Sequence, residues 1–139
     1  MADFHDAELI LKLYELRTDP VMREARKFVS GFNPASFDEI AAVQRAQTTP
    51  EQNAYWRQAT SYWDMAAALV MHDALDVGLF VDANGEPFYF YAKFAPFHEE
   101  WKKTFGRPFM PQVGLMIETH LPAREKYETF LKRLHPDKK

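Results

Sequence analysis

The sequence predicts an all-α fold, an irregular helical bundle of five to seven helices forming a single domain over residues 1–139. Three observations carry that expectation. Apolar residues recur at three- and four-residue steps through most of the chain. Proline and capping residues break it at intervals suited to short helices. One apolar pattern runs without interruption from about residue 50 to 72, long enough for a central helix.

The elements follow in order. Asp3 is placed to cap a first helix whose Leu9, Ile10, Leu13 and Leu16 mark its apolar positions. Asp19-Pro20 restarts the chain, since Asp caps well and Pro is tolerated in the first helical turn. The second helix carries Met22, Ala25 and Val29 and stops near Gly31, which suits a left-handed helix end. After the Asn33-Pro34 turn, Ser36 and Glu39 have capping-box spacing ahead of Phe37, Ile40 and Val43. Thr49-Pro50-Glu51-Gln52 is the clearest start signal, and behind it Trp56, Trp63 and Val70 repeat at seven-residue intervals.

Residues 79–97 support two readings. Leu79-Phe80-Val81, Asn84-Gly85 and Phe88-Tyr89-Phe90-Tyr91 together fit a β-hairpin, which would make the fold α+β with a small hairpin near 79–91. Against it, Phe90, Phe94, Phe97, Trp101 and Phe105 keep a helical stripe. The longer pattern favours a helix at about 87–104, kinked at Pro96. A helix at about 112–120 follows, and a last one from Ala123 carries Tyr127, Phe130, Leu131 and Leu134.

Composition narrows the possible functions. A chain of 139 residues suits one domain and buries enough surface to fold without a staple. It has no cysteine, which excludes disulfides, zinc–thiolate and iron–sulfur sites and thiol nucleophiles. The net charge of −3 gives no sign of nucleic-acid binding. The acidic start lacks the order of a signal peptide. The longest aliphatic run, Met65 to Met71, is far short of the roughly 20 residues a membrane helix needs, so a cytoplasmic protein with no membrane role is expected.

No motif spells out catalysis. His72 and Asp76, or His5 and Glu8, have spacings that could offer two metal ligands each, but a site needs more, and no metal is expected. His98-Glu99-Glu100 resembles the start of a zinc-protease helix, yet Lys102 stands where the second histidine belongs. Asp82-Ala83-Asn84-Gly85 fails as a calcium loop because Phe80 occupies the first ligand position. Five glycines form no phosphate loop, and Ser30, Ser36 and Ser61 have no neighbouring histidine. No cofactor is expected.

Two groups of residues remain as candidates. Tyr62, Trp63 and Tyr91 are candidate liners of an aromatic pocket, given that 15% of the chain is aromatic. Arg17, Arg23, Arg26 and Lys27 are a candidate surface for an anion or acidic partner.

Two resemblances complete the reading. Lys132 to Lys139, with its His135-Pro136-Asp137, resembles the His-Pro-Asp loop of a J-domain, the module that stimulates Hsp70 chaperones. The aromatic-leucine-glycine opening and the helix after that loop are missing, so a plain chain terminus is expected. Ile10-Leu11-Lys12-Leu13-Tyr14-Glu15-Leu16-Arg17 with Met22-Arg23-Glu24-Ala25-Arg26, then Tyr62-Trp63-Asp64-Met65-Ala66-Ala67, then Leu79-Phe80-Val81-Asp82 with Asn84-Gly85, are similar to small bacterial helical proteins filed as a domain of unknown function. That resemblance implies a helical fold and no assigned activity. The expected function is a non-enzymatic protein-interaction or self-association module, with a homo-oligomer as the expected assembly. The alternative is a small-molecule-binding bundle or an enzyme with an aromatic-lined pocket.

Overall fold

The computed structural model describes residues 1–137, so Lys138 and Lys139 of the His-Pro-Asp tail lie outside the described residues. The helices are α1 (Phe4–Arg17), α2 (Pro20–Gly31), α3 (Phe37–Gln44), α4 (Pro50–Met71), α5 (Val77–Ala83), α6 (Glu86–Lys93), α7 (His98–Phe105), α8 (Pro111–Thr119) and α9 (Leu121–Leu134). A 3-10 turn at Ala95–Phe97 links α6 to α7. The fold is all-α, with no strand among the described residues. The expected count of five to seven helices falls short of these nine, because α5 was not foreseen and the segment read as 87–104 is two helices.

The local chemistry explains both differences. A hairpin turn at Asn84-Gly85 would need positive φ at both residues. Their φ values are −135° and −90°. Asp76 instead caps α5 by accepting the Leu79 amide at 2.9 Å, and Pro87 fits the first turn of α6. Pro96 has no N–H to continue the ladder, so the expected kink is a full break through a 3-10 turn. The aromatic stripe survives the break: Phe90, Phe94 and Trp101 are buried, and Phe97 and Phe105 pack against them.

Other helix starts follow their sequence signals. The Asp3 side chain accepts the Asp6 amide at 3.1 Å, and Asp19 caps the Val21 amide at 3.0 Å. Glu39 reaches back to the Ser36 amide at 3.1 Å, and Thr49 accepts the Gln52 amide at 3.1 Å. Gly31 is the last residue of α2 rather than a left-handed cap, and Phe32 follows it in extended conformation.

α4 runs through the middle, packing chiefly against α2 and α8, while α9 lies on α6, α8 and α5. Trp56, Ala59, Tyr62, Trp63, Ala66, Ala67 and Val70 of α4 are buried, so alanines let neighbouring helices approach while tryptophans fill the gaps. Around Trp56 the rings of Phe94, Phe109 and Trp101 lie 5.1, 5.7 and 6.3 Å away, the spacing of favourable aromatic pairs.

Short helices expose many terminal backbone groups, each costly if buried without a partner. Side chains from other helices satisfy them here. Asn53 of α4 donates to the carbonyls of Val43 and Gln44 at the end of α3, at 2.9 and 3.1 Å. Asp64 of α4 accepts the Gln112 and Val113 amides at the start of α8, at 2.8 and 3.1 Å. Lys93 of α6 closes the end of α2 through the carbonyls of Val29 and Ser30, and burial pushes its amine down to about 8. Lys126 of α9 donates to Val81 of α5 at 2.9 Å. These contacts add fixed points between helices to the apolar packing.

Candidate functional site

The sequence-predicted residues divide between the interior and the surface. Tyr62 and Trp63 are buried, and Tyr91 is half-buried. The Tyr62 hydroxyl donates to the Leu13 carbonyl of α1, and burial pushes its ionisation up to about 12. Trp63 Nε1 donates to Glu86 Oε1 at 3.0 Å. Tyr91 stacks on Phe109 and meets Tyr127 edge-on, and burial likewise pushes its hydroxyl up to about 12. Its hydroxyl faces Gly114, where an added Cβ would lie 2.5 Å from that oxygen. Glycine in α8 is therefore required by close approach, not by backbone conformation.

Of the basic group, Arg17 and Arg26 turn inward and Arg23 and Lys27 stay exposed. Arg26 grips Glu86 with both ends of its guanidinium, Nε to Oε1 at 2.6 Å and Nη2 to Oε2 at 3.1 Å. Its Nη1 donates to the Arg17 carbonyl at 3.1 Å. Hydrogen bonding to Glu86 raises the Arg26 guanidinium above its ordinary value. Arg17 donates to the buried Asn84 side chain at 3.0 Å and lies 4.9 Å from the Tyr14 ring centre. The structure thus joins members of both predicted groups: Glu86 links Trp63 to Arg26, and Arg17, held by Arg26 at its carbonyl, lies 5.9 Å from the Trp63 ring centre. Both oxygens of Glu86 are engaged, which makes the network a clamp between α2, α4 and α6.

Sequence reasoning missed Glu86 and Asn84. Their partners lie 60 and 67 residues away, so no local spacing announces them.

His72 and Asp76 do not share a helix face, because α4 ends at Met71 and Asp76 caps α5. His5 and Glu8 form an exposed pair at 3.8 Å. Near them, Asp6 accepts the backbone amides of Asp3 and Asp76, both at 2.8 Å, and these bonds hold its carboxyl below the usual range. The hollow beside it, about 360 Å³, is lined by Asp3, Asp6, Asp73, Asp76, His5 and His120 among others. Among the described residues no group of three or more such side chains is arranged to hold a metal.

His98 is enclosed by aromatic rings, with Tyr91 at 4.3 Å and Phe109 at 5.7 Å between centroids. Burial pushes it down to about 4, so it is neutral at physiological pH. Its Nε2 and the Trp101 indole N–H are both buried and have no protein partner among the described residues.

What the interior leaves outside is concentrated at the start of the chain. Phe4, Leu11 and Tyr14 are 73%, 67% and 55% exposed. With Ala7 they follow steps of three, four and three, and so share one face of α1, opposite the buried Asp6 and Leu13. Val21, at the start of α2, is also exposed. α1 is apolar on both sides and packs more lightly than the central helices, against α2 and α5.

His135 of the tail lies against α6, its Nε2 2.9 Å from the Ala92 carbonyl oxygen. No helix among the described residues is long and apolar enough to cross a membrane. No curated protein and no solved structure matches the chain. Residues 2–112, from the first residues of α1's cap to the start of α8, match the family described as Domain of unknown function (DUF4760), and the chain belongs to that family.

Proposed function

We propose that the chain folds as one unit and works as a non-enzymatic interaction module that self-associates through the outer face of α1. The observation that carries this reading is the exposed stripe of Phe4, Leu11 and Tyr14 on a helix whose other face is already buried. Interior packing has no use for these side chains, and an apolar surface left in water favours association.

Charge selects a second copy as the occupant. Glu8, Lys12 and Glu15 flank the stripe on one side. Two α1 helices packed antiparallel about a two-fold axis seat this stripe on itself, Phe4 against Tyr14 and Ala7 against Leu11 of the other copy, and bring together the Glu8, Lys12 and Glu15 edges, which carry both signs of charge. A 14-residue helix is about 21 Å long, and a face of that size forms a small interface. Micromolar, concentration-dependent pairing is expected rather than a permanent dimer.

Charge reversal tests this. Lys12→Glu should weaken the dimer in light scattering at low salt, and Lys12→Glu with Glu8→Lys should restore it. Equal behaviour of the three proteins would refute the antiparallel pairing.

A further inference from the structure

A separate cavity of about 280 Å³ opens between the end of α3, the middle of α4 and the loop from α7 to α8. Arg57 and Arg107 stand on its rim, and neither forms an ion pair among the described residues. Gln44 gives its carbonyl oxygen to Trp56 Nε1 at 2.9 Å, which leaves its amide N–H groups as the unengaged end. The one carboxylate of the cavity, Asp64, accepts two amides of α8 at Oδ1; burial pushes its carboxyl up, and those two bonds and the Arg107 charge oppose that shift. Arg57, Arg107 and the Gln44 amide are thus the free donors of the cavity, and its two guanidiniums outnumber its one carboxylate.

The walls are apolar and fixed. Trp101, Pro108 and Phe109 line them. Phe109 and Met110 are buried, and the loop passes through left-handed conformations at Gly106 and Met110, with φ of 77° and 43°. A non-glycine residue held there needs firm packing around it. Arg107 is thus presented on an anchored loop, which lowers the ordering cost of binding.

We propose that this cavity binds a small anion: a carboxylate or phosphate held by Arg57 and Arg107, carried on a compact flat apolar body that lies against Trp101 and Phe109. Guanidinium pairs suit either acid group through paired N–H donors. The volume sits at the lower end of ligand pockets, so the ligand is of single-ring size. This site is independent of the α1 face.

The test is an amide NMR titration of the whole chain at constant ionic strength, with inorganic phosphate, phenyl phosphate, benzoate and benzyl alcohol as probes. Saturable shifts confined to residues 57–64 and 106–112 are expected with phenyl phosphate and benzoate, weaker binding with inorganic phosphate, and none with benzyl alcohol. Arg57→Gln with Arg107→Gln should weaken phenyl phosphate by at least about tenfold, since two charge-assisted contacts are lost. Both side chains lie at the surface, so the double variant should keep the native spectrum. Absence of saturation, shifts centred elsewhere, or an unchanged affinity in the double variant would overturn the site. Equal affinity for inorganic and phenyl phosphate would overturn the apolar part of the proposal.

Discussion

The centre of the molecule and its first helix use apolar residues in opposite ways. Around α4, every large ring faces another: Trp56 is ringed by Phe32, Phe94, Trp101 and Phe109, and Trp63 by Tyr62 and Phe80. On α1, Leu13 turns inward while Phe4, Leu11 and Tyr14 face water. The same residue types therefore have different consequences. In the centre they set stability and the fixed geometry of the helices. On α1 they contribute little to the fold and stay exposed to water.

The sharpest way to break this contrast is to truncate a central ring. Trp63→Ala should cost about 3–5 kcal/mol in chemical denaturation, because it opens a cavity and leaves Glu86 without one of its donors. A loss below about 1 kcal/mol would mean the centre is not the packed core described here.

The enclosed His98 gives the next largest effect. It takes up a proton near pH 6.5 when unfolded and only near 4 in the fold, so between those values the unfolded chain binds more protons. Its contribution is intact above pH 6.5 and is lost as the pH falls toward 4, by up to roughly 3 kcal/mol. His98→Phe should flatten the acid limb of the stability profile. An unchanged limb would place His98 in contact with water.

Gly114→Ala probes packing at finer scale. Alanine favours helix over glycine, yet here its Cβ meets the Tyr91 hydroxyl, so a net loss of about 1–2 kcal/mol is expected. Combining it with Tyr91→Phe should recover part of that loss. A stabilising Gly114→Ala would show that the α6–α8 contact yields freely.

Leu11→Glu should have the smallest effect on folding, within about 0.5 kcal/mol by thermal or chemical unfolding. The side chain is largely exposed, so its removal costs the core nothing.

How much of this was legible in the sequence depends on the range of the interaction. Asp3, Asp19-Pro20, Ser36 and Thr49-Pro50 announce helix starts correctly because a cap and its amide lie within three residues of each other. The aromatic stripe from Phe90 to Phe105 was readable as one buried face, but its backbone break at Pro96 was underestimated. The Asn84-Gly85 pair misleads because composition permits a hairpin turn that the backbone does not adopt. Trp63 and Arg26 were visible as separate candidates, whereas Glu86, which joins them, was not. Asp64 and Lys93 were hidden for the same reason, since the helix ends they close lie 48 and 64 residues away. Sequence also could not tell that Leu13 goes inside and Leu16 stays exposed, because both sit in one helical apolar pattern and only the assembled neighbours distinguish them.

The proposed self-association rests on α1 keeping an apolar face for a second copy of the chain. Sedimentation equilibrium over a wide concentration range, on the unmodified chain and on Leu11→Glu side by side, tests it most directly. A reversible rise toward twice the chain mass of 16.3 kDa is expected for the first and a monomer at every concentration for the second. A strictly monomeric unmodified chain, or a dimer that persists unchanged in Leu11→Glu, would contradict it.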